Sequence, residues 1–134
     1  MDQSFDDVIQ ACADPRADGS GTWITTEMQE AYCALHQLGH AHSVETWLDG
    51  RLVGGLYGVS VGGIFCGESM FHRESDASKV ALVALCRRMV ERGFALLDCQ
   101  VHTSHLASMG AVEVSRREFL RVLGENVDRA CRLT

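Results

Sequence analysis

Residues 63–101 read GIFCGESMFHRESDASKVALVALCRRMVERGFALLDCQV. Residues 64–69, IFCGES, read as a strand entered through the Gly62-Gly63 turn, and the polar run 70–76, MFHRESD, reads as a loop. Val80, Leu82, Val83, Leu85, Cys86, Met89 and Val90 then supply one broad apolar face. Their spacing predicts a helix over about 76–92, capped by Ser75 or Asp76 and stopped by Gly93. The apolar run FALLDCQV, 94–101, reads as the next strand. A carboxylate and an amide interrupt it two positions apart. Side chains on a strand alternate between faces, so Asp98 and Gln100 are expected to point one way and Cys99 the other. An acid inside an apolar run must be paired, hydrogen-bonded or shifted in pKa, and Gln100 is the nearest partner. Read from the residues alone, the couple either positions a substrate or only bonds to itself at a sheet end.

Upstream, HSVETWL (42–48) alternates as a strand and Asp49-Gly50 is a strong hairpin turn. The return strand RLVGGLYGV (51–59) carries Gly54, Gly55 and Gly58, and glycine within a strand marks a bulge or a close approach. Met28, Ala31, Tyr32, Leu35 and Leu38 recur at helical spacing, with a capping box expected from Thr26 and Gln29 and a stop at Gly39. A short helix is expected over 5–13, followed by the flexible stretch DPRADGSG. Downstream, HTSHLAS (102–108) is a polar turn with room for one helical turn, and AVEVS (111–115) is expected as a short strand. Ser115 with Glu118 forms a second capping box that opens a last helix running toward residue 132. The chain divides into an acidic leader, 1–20, and one domain, 21–134.

Composition bounds the function. The chain has 134 residues, 46% of them hydrophobic, which suits a single domain with a real core. No run approaches the roughly 18 apolar residues of a membrane span. The N-terminus lacks the regions of a signal peptide, so a cytoplasmic location is expected. The six cysteines are scattered without a CxxC pair, so neither a disulfide framework nor a zinc site is expected. The histidines are read as surface or supporting groups. The net charge of −6 is uneven: residues 1–49 carry nine acids and one base, Arg16, and the remainder nine acids and eleven bases. That excludes a strongly basic nucleic-acid binder. Arg87, Arg88 and Arg92, or Arg116, Arg117 and Arg121, still offer local patches for phosphates, although solvated helix faces are the more common outcome for such clusters.

The elements run helix, hairpin, third strand, helix, strand, short helix, strand, helix. This order predicts an α+β fold, a mainly antiparallel sheet flanked by helices, and it resembles the GNAT (acyl-CoA N-acyltransferase-like) fold. The 63–101 unit matches the central strand–helix–strand of that fold. Enzymes of that fold usually bind coenzyme A pyrophosphate through a glycine-containing loop, whereas the corresponding ESMFHRESDAS has no glycine.

Seven segments in order resemble the bacterial leucyl/phenylalanyl-tRNA–protein transferases: GTWIT (21–25), EAYCALHQLGHAHSVE (30–45), LVGGLYGV (52–59), FCGESMF (65–71), ASK (77–79), DCQV (98–101) and ASMGA (107–111). The resemblance covers about residues 20–120. It implies transfer of an aminoacyl group from aminoacyl-tRNA to the N-terminal amine of a protein beginning with Arg or Lys, with no cofactor or metal. It implies that Asp98 orients and polarises Gln100, that Gln100 contacts the attacking amine, and that Glu68 holds the acceptor ammonium or the donor's amine. It also implies an aminoacyl side-chain pocket from Leu56, Phe65, Leu82, Leu85, Met89 and Leu97, all of which also read as core. Further candidates are Trp23, stacking on the terminal adenine or anchoring the first helix; Tyr32; and Ser69, bonding substrate or its own loop. Glu68 alternatively caps the loop after its strand.

The match departs from the family at His72, where serine is usual, and at His102, Thr103 and Ser104, where Leu, Asn and Asp are usual. These positions flank the expected acceptor site, so a small amine is a second possible acceptor. The chain is expected to lack the family's N-terminal module and to have a short or absent C-terminal tail. The chain is therefore expected to be either a fragment or a short homologue, with Met1 and the acidic leader favouring the latter. Two other functions compete: a CoA-dependent N-acyltransferase and a non-catalytic aminoacyl-tRNA-binding homologue.

Overall fold

A computed structural model describes residues 1–15, 19 and 21–134. Arg16, Ala17, Asp18 and Ser20, within the stretch expected to be flexible, lie outside the described residues. In chain order the elements are α1 (Phe5–Ala13), α2 (Thr26–Gln37), β1 (Ala41–Leu48), β2 (Arg51–Val61), β3 (Ile64–His72), α3 (Ala77–Glu91), β4 (Leu96–Asp98), α4 (Ser104–Ser108) and α5 (Arg116–Asn126). The fold is α+β. The sheet order is β1-β2-β3-β4, with the first two pairings antiparallel and β3 parallel to β4. A parallel neighbour needs a crossover, and α3 supplies it. Asp49 and Gly50 both have positive φ, the conformation a tight two-residue hairpin demands.

The sheet buries both faces. On one, α1 covers Tyr57 and Ala41 with Phe5, Val8 and Ile9, Ile24 joins them from the segment before α2, and α2 adds the partly buried Met28, Tyr32 and Leu35. On the other, α3 lays Ala81, Leu82, Leu85 and Met89 over Val44, Leu56 and Phe65, and Leu133 closes the same cluster. Gly54 lets α3 approach: a Cβ there would lie 2.5 Å from the Ala77 methyl. Two bulges decide which side chains reach which face. In β1–β2, Thr46 pairs with Gly54 and Trp47 with Leu52, leaving Val53 as the extra residue. In β2–β3, Gly58 pairs with Gly67 and Tyr57 with Ser69, leaving Glu68 as the extra residue. Each bulge inverts the alternation beyond it. Phe65 and Phe71 are an even number of residues apart, yet Phe65 packs under α3 and Phe71 under α1 and α2.

Several expectations change. The α2 cap is Thr25, whose hydroxyl accepts from the Met28 N–H, so the Thr26–Gln29 box is not formed. β3 runs to His72 and takes in the first three residues of the expected loop, because β2 is long enough to pair with it as far as Gly54. The apolar face of α3 is narrower than expected. Val80, Val83 and Val90 are exposed, while Ala77, Ser78 and Ala81 are buried where the helix meets the strand glycines. Asp76 precedes α3 with a φ of 62° and makes no cap bond; its carboxylate pairs with Lys79 at 2.8 Å. Residues 111–115 form no strand, since β4 is only three residues long and offers them no ladder. Ser115 caps α5 through the Glu118 N–H, but Glu118 turns to Arg121 instead of completing the box, and the helix ends at Asn126.

Residues grouped as a leader contribute buried side chains to the α1–α2 side of the core, and Asp2 reaches the sheet. Its carboxylate accepts from the Ser43 N–H and meets His42 Nδ1, each at 2.8 Å. Burial pushes the Asp2 carboxyl up, but the bonds from His42 and Ser43, with the nearby His42 and His36 charges, outweigh it and hold it below the usual carboxylate range. A carboxyl depressed in the folded state contributes stability above its unfolded pKa and loses it as pH falls through the folded one. Asp2→Asn is therefore expected to lower the melting temperature at about pH 5, with the gap to the parent chain closing toward about pH 3. A gap that does not change with pH in thermal melts would refute the assignment.

Candidate functional site

The site lies where β3 and β4 part. Their ladder ends at the Cys66–Asp98 pair, and Glu68 occupies the bulge just beyond it. A bulge turns its extra residue out of the regular alternation, and Glu68 swings toward α2 and the segment after β4. Tyr32 on α2 donates its hydroxyl to Glu68 Oε2 at 3.0 Å. Gln100 donates its amide Nε2 to Glu68 Oε1 at 3.3 Å. The strand expected over 94–101 is only Leu96–Asp98, so alternation does not bring Asp98 and Gln100 together. The chain instead turns sharply. Gln100 has a φ of 65°, its N–H donates to Asp98 Oδ1 at 2.9 Å, and the Val101 N–H donates to the Cys99 carbonyl at 2.7 Å. This is a γ-turn around a non-glycine residue, a strained arrangement. Asp98 thus holds the Gln100 backbone, where the resemblance implied that it polarises the amide.

The electrostatics follow from two carboxylates sharing a half-buried corner. Burial, then the Glu68 charge and its hydrogen bond, push the Tyr32 phenol up to about 12, so it stays a donor. Burial, then the Asp98 and Glu68 charges, push the Cys66 thiol up, so it is a poor nucleophile. With Nε2 committed to Glu68, the Gln100 Oε1 is free to accept from an incoming N–H. The Glu68 carboxylate keeps further lone pairs for a cation. The corner can therefore receive an amine or ammonium and orient it.

Beside it a groove of about 970 Å³ runs between α3, β4, α4 and α5. Asp98 and Gln100 stand in its wall with Leu82, Leu97, Leu106 and Met109. Arg87 and Arg116 reach the same groove, and among the described residues neither makes an ion pair. Of the expected pocket residues, Leu82 and Leu97 line the groove. Leu56, Phe65, Leu85 and Met89 are 5% exposed or less and belong to the core beneath α3. Trp23 is half exposed and lines neither this groove nor a second cavity of about 500 Å³ near His40, His42 and Cys131. Ser69 turns inward, its hydroxyl against the Cys12 thiol. Glu68 is not at a strand end, so it caps no loop. Thr103 caps α4 through the Leu106 N–H. His36 stacks on Phe5 and bonds the Ala41 carbonyl. Among the described residues no three His, Cys, Asp or Glu side chains gather as a metal site, and the six cysteines are free thiols.

Reading along the sequence did not reveal the bulge at Glu68 or the Tyr32–Glu68 bond. The signal for the bulge was Gly58, where the facing strand comes too close for a side chain. Strain at Gln100 gives a direct expectation. Gln100→Gly relieves a left-handed non-glycine residue, which costs about 1 kcal/mol or more, while the more flexible unfolded chain offsets part of that. The variant is expected to melt at or above the temperature of the parent chain yet lose the Glu68 contact. A clear fall in melting temperature would show that the turn is not strained.

The sequence model of the family described as leucyl/phenylalanyl-tRNA protein transferase matches residues 1–124. A leucyl/phenylalanyl-tRNA–protein transferase of Chromobacterium violaceum is 58% identical over 127 residues, which cover 95% of this chain and 54% of that protein. The Azoarcus sp. protein of the same name is 61% identical over 119 residues, covering 89% and 51%. That of Idiomarina loihiensis is 59% identical over 120 residues, covering 90% and 51%. The chain spans about half the length of the curated relatives it matches.

Proposed function

The chain belongs to the leucyl/phenylalanyl-tRNA protein transferase family, and from that premise we propose that it carries the chemistry of an aminoacyl-tRNA-dependent aminoacyltransferase. The donor is a tRNA esterified with an apolar amino acid such as Leu or Phe. The acceptor is the N-terminal amine of a protein that begins with Arg or Lys. The observation that carries this reading is the Tyr32–Glu68–Gln100–Asp98 corner beside an apolar groove.

In the proposed reaction the acceptor nitrogen attacks the carbonyl carbon of the aminoacyl ester. A C–N bond forms and the ester C–O bond breaks. The ribose oxygen of the tRNA leaves with a proton, and the amine gives one up. Glu68 attracts the acceptor as its ammonium, and Gln100 Oε1 takes a hydrogen bond from the amine once it is neutral. Held this way the lone pair faces the ester, and positioning supplies much of the rate. An amide is a poor base, so Gln100 is assigned orientation and charge stabilisation rather than proton abstraction. Leu82 and Leu97 contact the aminoacyl side chain. Trp23 remains a candidate for stacking on the terminal adenine.

The proposal extends to the architecture. The β1–β3 meander followed by α3 and a parallel β4 supports a GNAT-like arrangement. In it residues 21–134 form the transferase unit and α1 buttresses it. The connection from β3 to α3 contains no glycine, which leaves a coenzyme A reading without a phosphate cradle.

The test incubates the chain with tRNA charged with Leu or Phe and a peptide beginning with Arg. The expected product, read by mass, is the peptide extended by one residue at its N-terminus. Binding of charged tRNA without extension of that peptide or of any small amine would overturn the catalytic reading in favour of a binding role. Extension of a small amine alone would move the acceptor class.

A further inference from the structure

The fold separates the members of the two arginine clusters. Arg88 donates its Nε to the Leu133 carbonyl at 2.9 Å and pairs with Glu91. Arg121 is held by Glu118 and Glu125. Arg92 and Arg117 do not line the groove beside the site. One arginine of each cluster remains, Arg87 in the α3 wall of that groove and Arg116 in the α5 wall. Both are exposed, and among the described residues neither guanidinium has a hydrogen-bond or ion-pair partner. The groove also holds the carboxylates Asp98 and Glu113; Asp98 accepts from the Gln100 N–H, and Glu113 pairs with neither arginine. A guanidinium presents a planar fork that takes two phosphate oxygens at once, and two of them on facing walls suit an anion between them.

The direction of α3 says which anion. In the crossover from β3 to the parallel β4, α3 runs back against both strands. Its first turn lies toward the strand ends that carry Glu68 and Gln100, and the helix leads away from them. Leu82, Val83, Cys86 and Arg87 form its wall of the groove, at the spacing of one helix face. Arg87 stands five residues beyond Leu82, about 7.5 Å farther from the corner. Stacked nucleic acid carries one charge per about 3.4 Å of strand. A donor with its ester at Gln100 and its side chain against Leu82 therefore brings a backbone phosphate near its charged end to the level of Arg87.

We propose that Arg87 and Arg116 form a phosphate clamp: from the two walls of the groove they grip a phosphodiester in the single-stranded end of the charged tRNA, and so set how far the ester reaches toward Gln100. The inference rests on the donor being aminoacyl-tRNA. Phosphate contacts fix position and register without reading sequence, which suits an end that all tRNAs share.

Two donors separate the clamp from the aminoacyl pocket: Leu-tRNA, and 3′-O-leucyl-adenosine, which carries the same ester without a phosphate. With Leu-tRNA and a peptide beginning with Arg, Arg87→Ala and Arg116→Ala are each expected to raise the donor KM about tenfold with kcat little changed. With leucyl-adenosine both variants are expected to match the parent chain. Arg87→Lys keeps the charge without the fork and is expected to recover part of the KM. Binding of a fluorescein-labelled RNA ending in the tRNA acceptor sequence is read by anisotropy between about 50 and 200 mM salt; each alanine variant is expected to lose about 0.7 from the log–log slope. Arg117→Ala removes the same charge outside the groove and is expected to leave slope and KM in place. An unchanged slope in both alanine variants would overturn the proposal. So would an equal loss of slope in Arg117→Ala, which would make the attraction diffuse, or an equal loss of activity with leucyl-adenosine, which would place the arginines at the ester itself. If no chain transfers an amino acid, the functional reading fails, while the salt slopes still decide the clamp.

Discussion

Glu68→Ala is expected to lower aminoacyl transfer by about 10²- to 10³-fold without loss of folded structure. The carboxylate bonds both Tyr32, on α2, and Gln100, after β4. Removing it deletes the charge that attracts the ammonium and releases the Gln100 amide, so both binding and orientation suffer. The fold does not depend on it: Glu68 is a bulge residue without a ladder partner, in neither apolar cluster. Glu68→Gln separates the two contributions. It can keep the bond from Tyr32 but not the charge, so its kcat/KM should fall nearly as far if attraction of the cation dominates. Asp98→Ala removes only the anchor of the Gln100 backbone; a misplaced Gln100 is expected to cost up to about 10²-fold. Rate constants from single-turnover assays, with circular dichroism to monitor folding, decide the matter. Transfer at the parental rate by Glu68→Ala would remove the carboxylate from the site.

The largest expected effect on stability is at Gly58. A Cβ there would overlap the Cys66 carbonyl oxygen of the paired strand and stand 2.5 Å from the Phe65 ring. Neither obstacle can give way. The carbonyl belongs to the adjoining β3 backbone beside the bulge, and Phe65 is fully buried beneath α3. Gly58→Ala is expected to destabilise the chain by about 3 kcal/mol, a large share of the roughly 5–15 kcal/mol a domain has, and to lower Tm by roughly 10 °C. Gly124→Ala is the contrast. Its Cβ would meet nothing within 4 Å on α5 and its φ is ordinary, so alanine should stabilise by up to about 1 kcal/mol. Thermal melts of the two variants test the pair. Equal stability for Gly58→Ala and the parent would mean that the strands do not approach as described.

The bulge links these two predictions. Gly58 lets β2 and β3 approach closely where they slip by one residue, and that slip is what aims Glu68. Gly58 was visible in the sequence as a glycine marking a bulge or close approach within its strand; which neighbour became the extra residue was not. The same holds for FALLDCQV. Its apolar run reads as an eight-residue strand, but only Leu96–Asp98 find a partner, and they find it on β3. Asp98 and Gln100 are adjacent for a reason opposite to the one periodicity suggests: the strand has ended, and a left-handed Gln100 folds back on the carboxylate.

From local chemistry alone, the chain dictates its hairpin at Asp49-Gly50, its helix stops at Gly39 and Gly93, its Ser115 cap and the order of its elements. Each is decided by groups within a few positions of one another, where backbone preference outweighs anything distant. The α+β class follows from that order, and the ordered motifs carry the family. Only the assembled structure could bring Tyr32 to Glu68 across 36 residues, bring Glu68 to Gln100 across 32, and send Leu56, Phe65, Leu85 and Met89 into the core while Leu82 and Leu97 reach the groove. Register, bulges and burial are properties of two or more segments at once, set by which surfaces close against each other, and no window along a single segment contains that information.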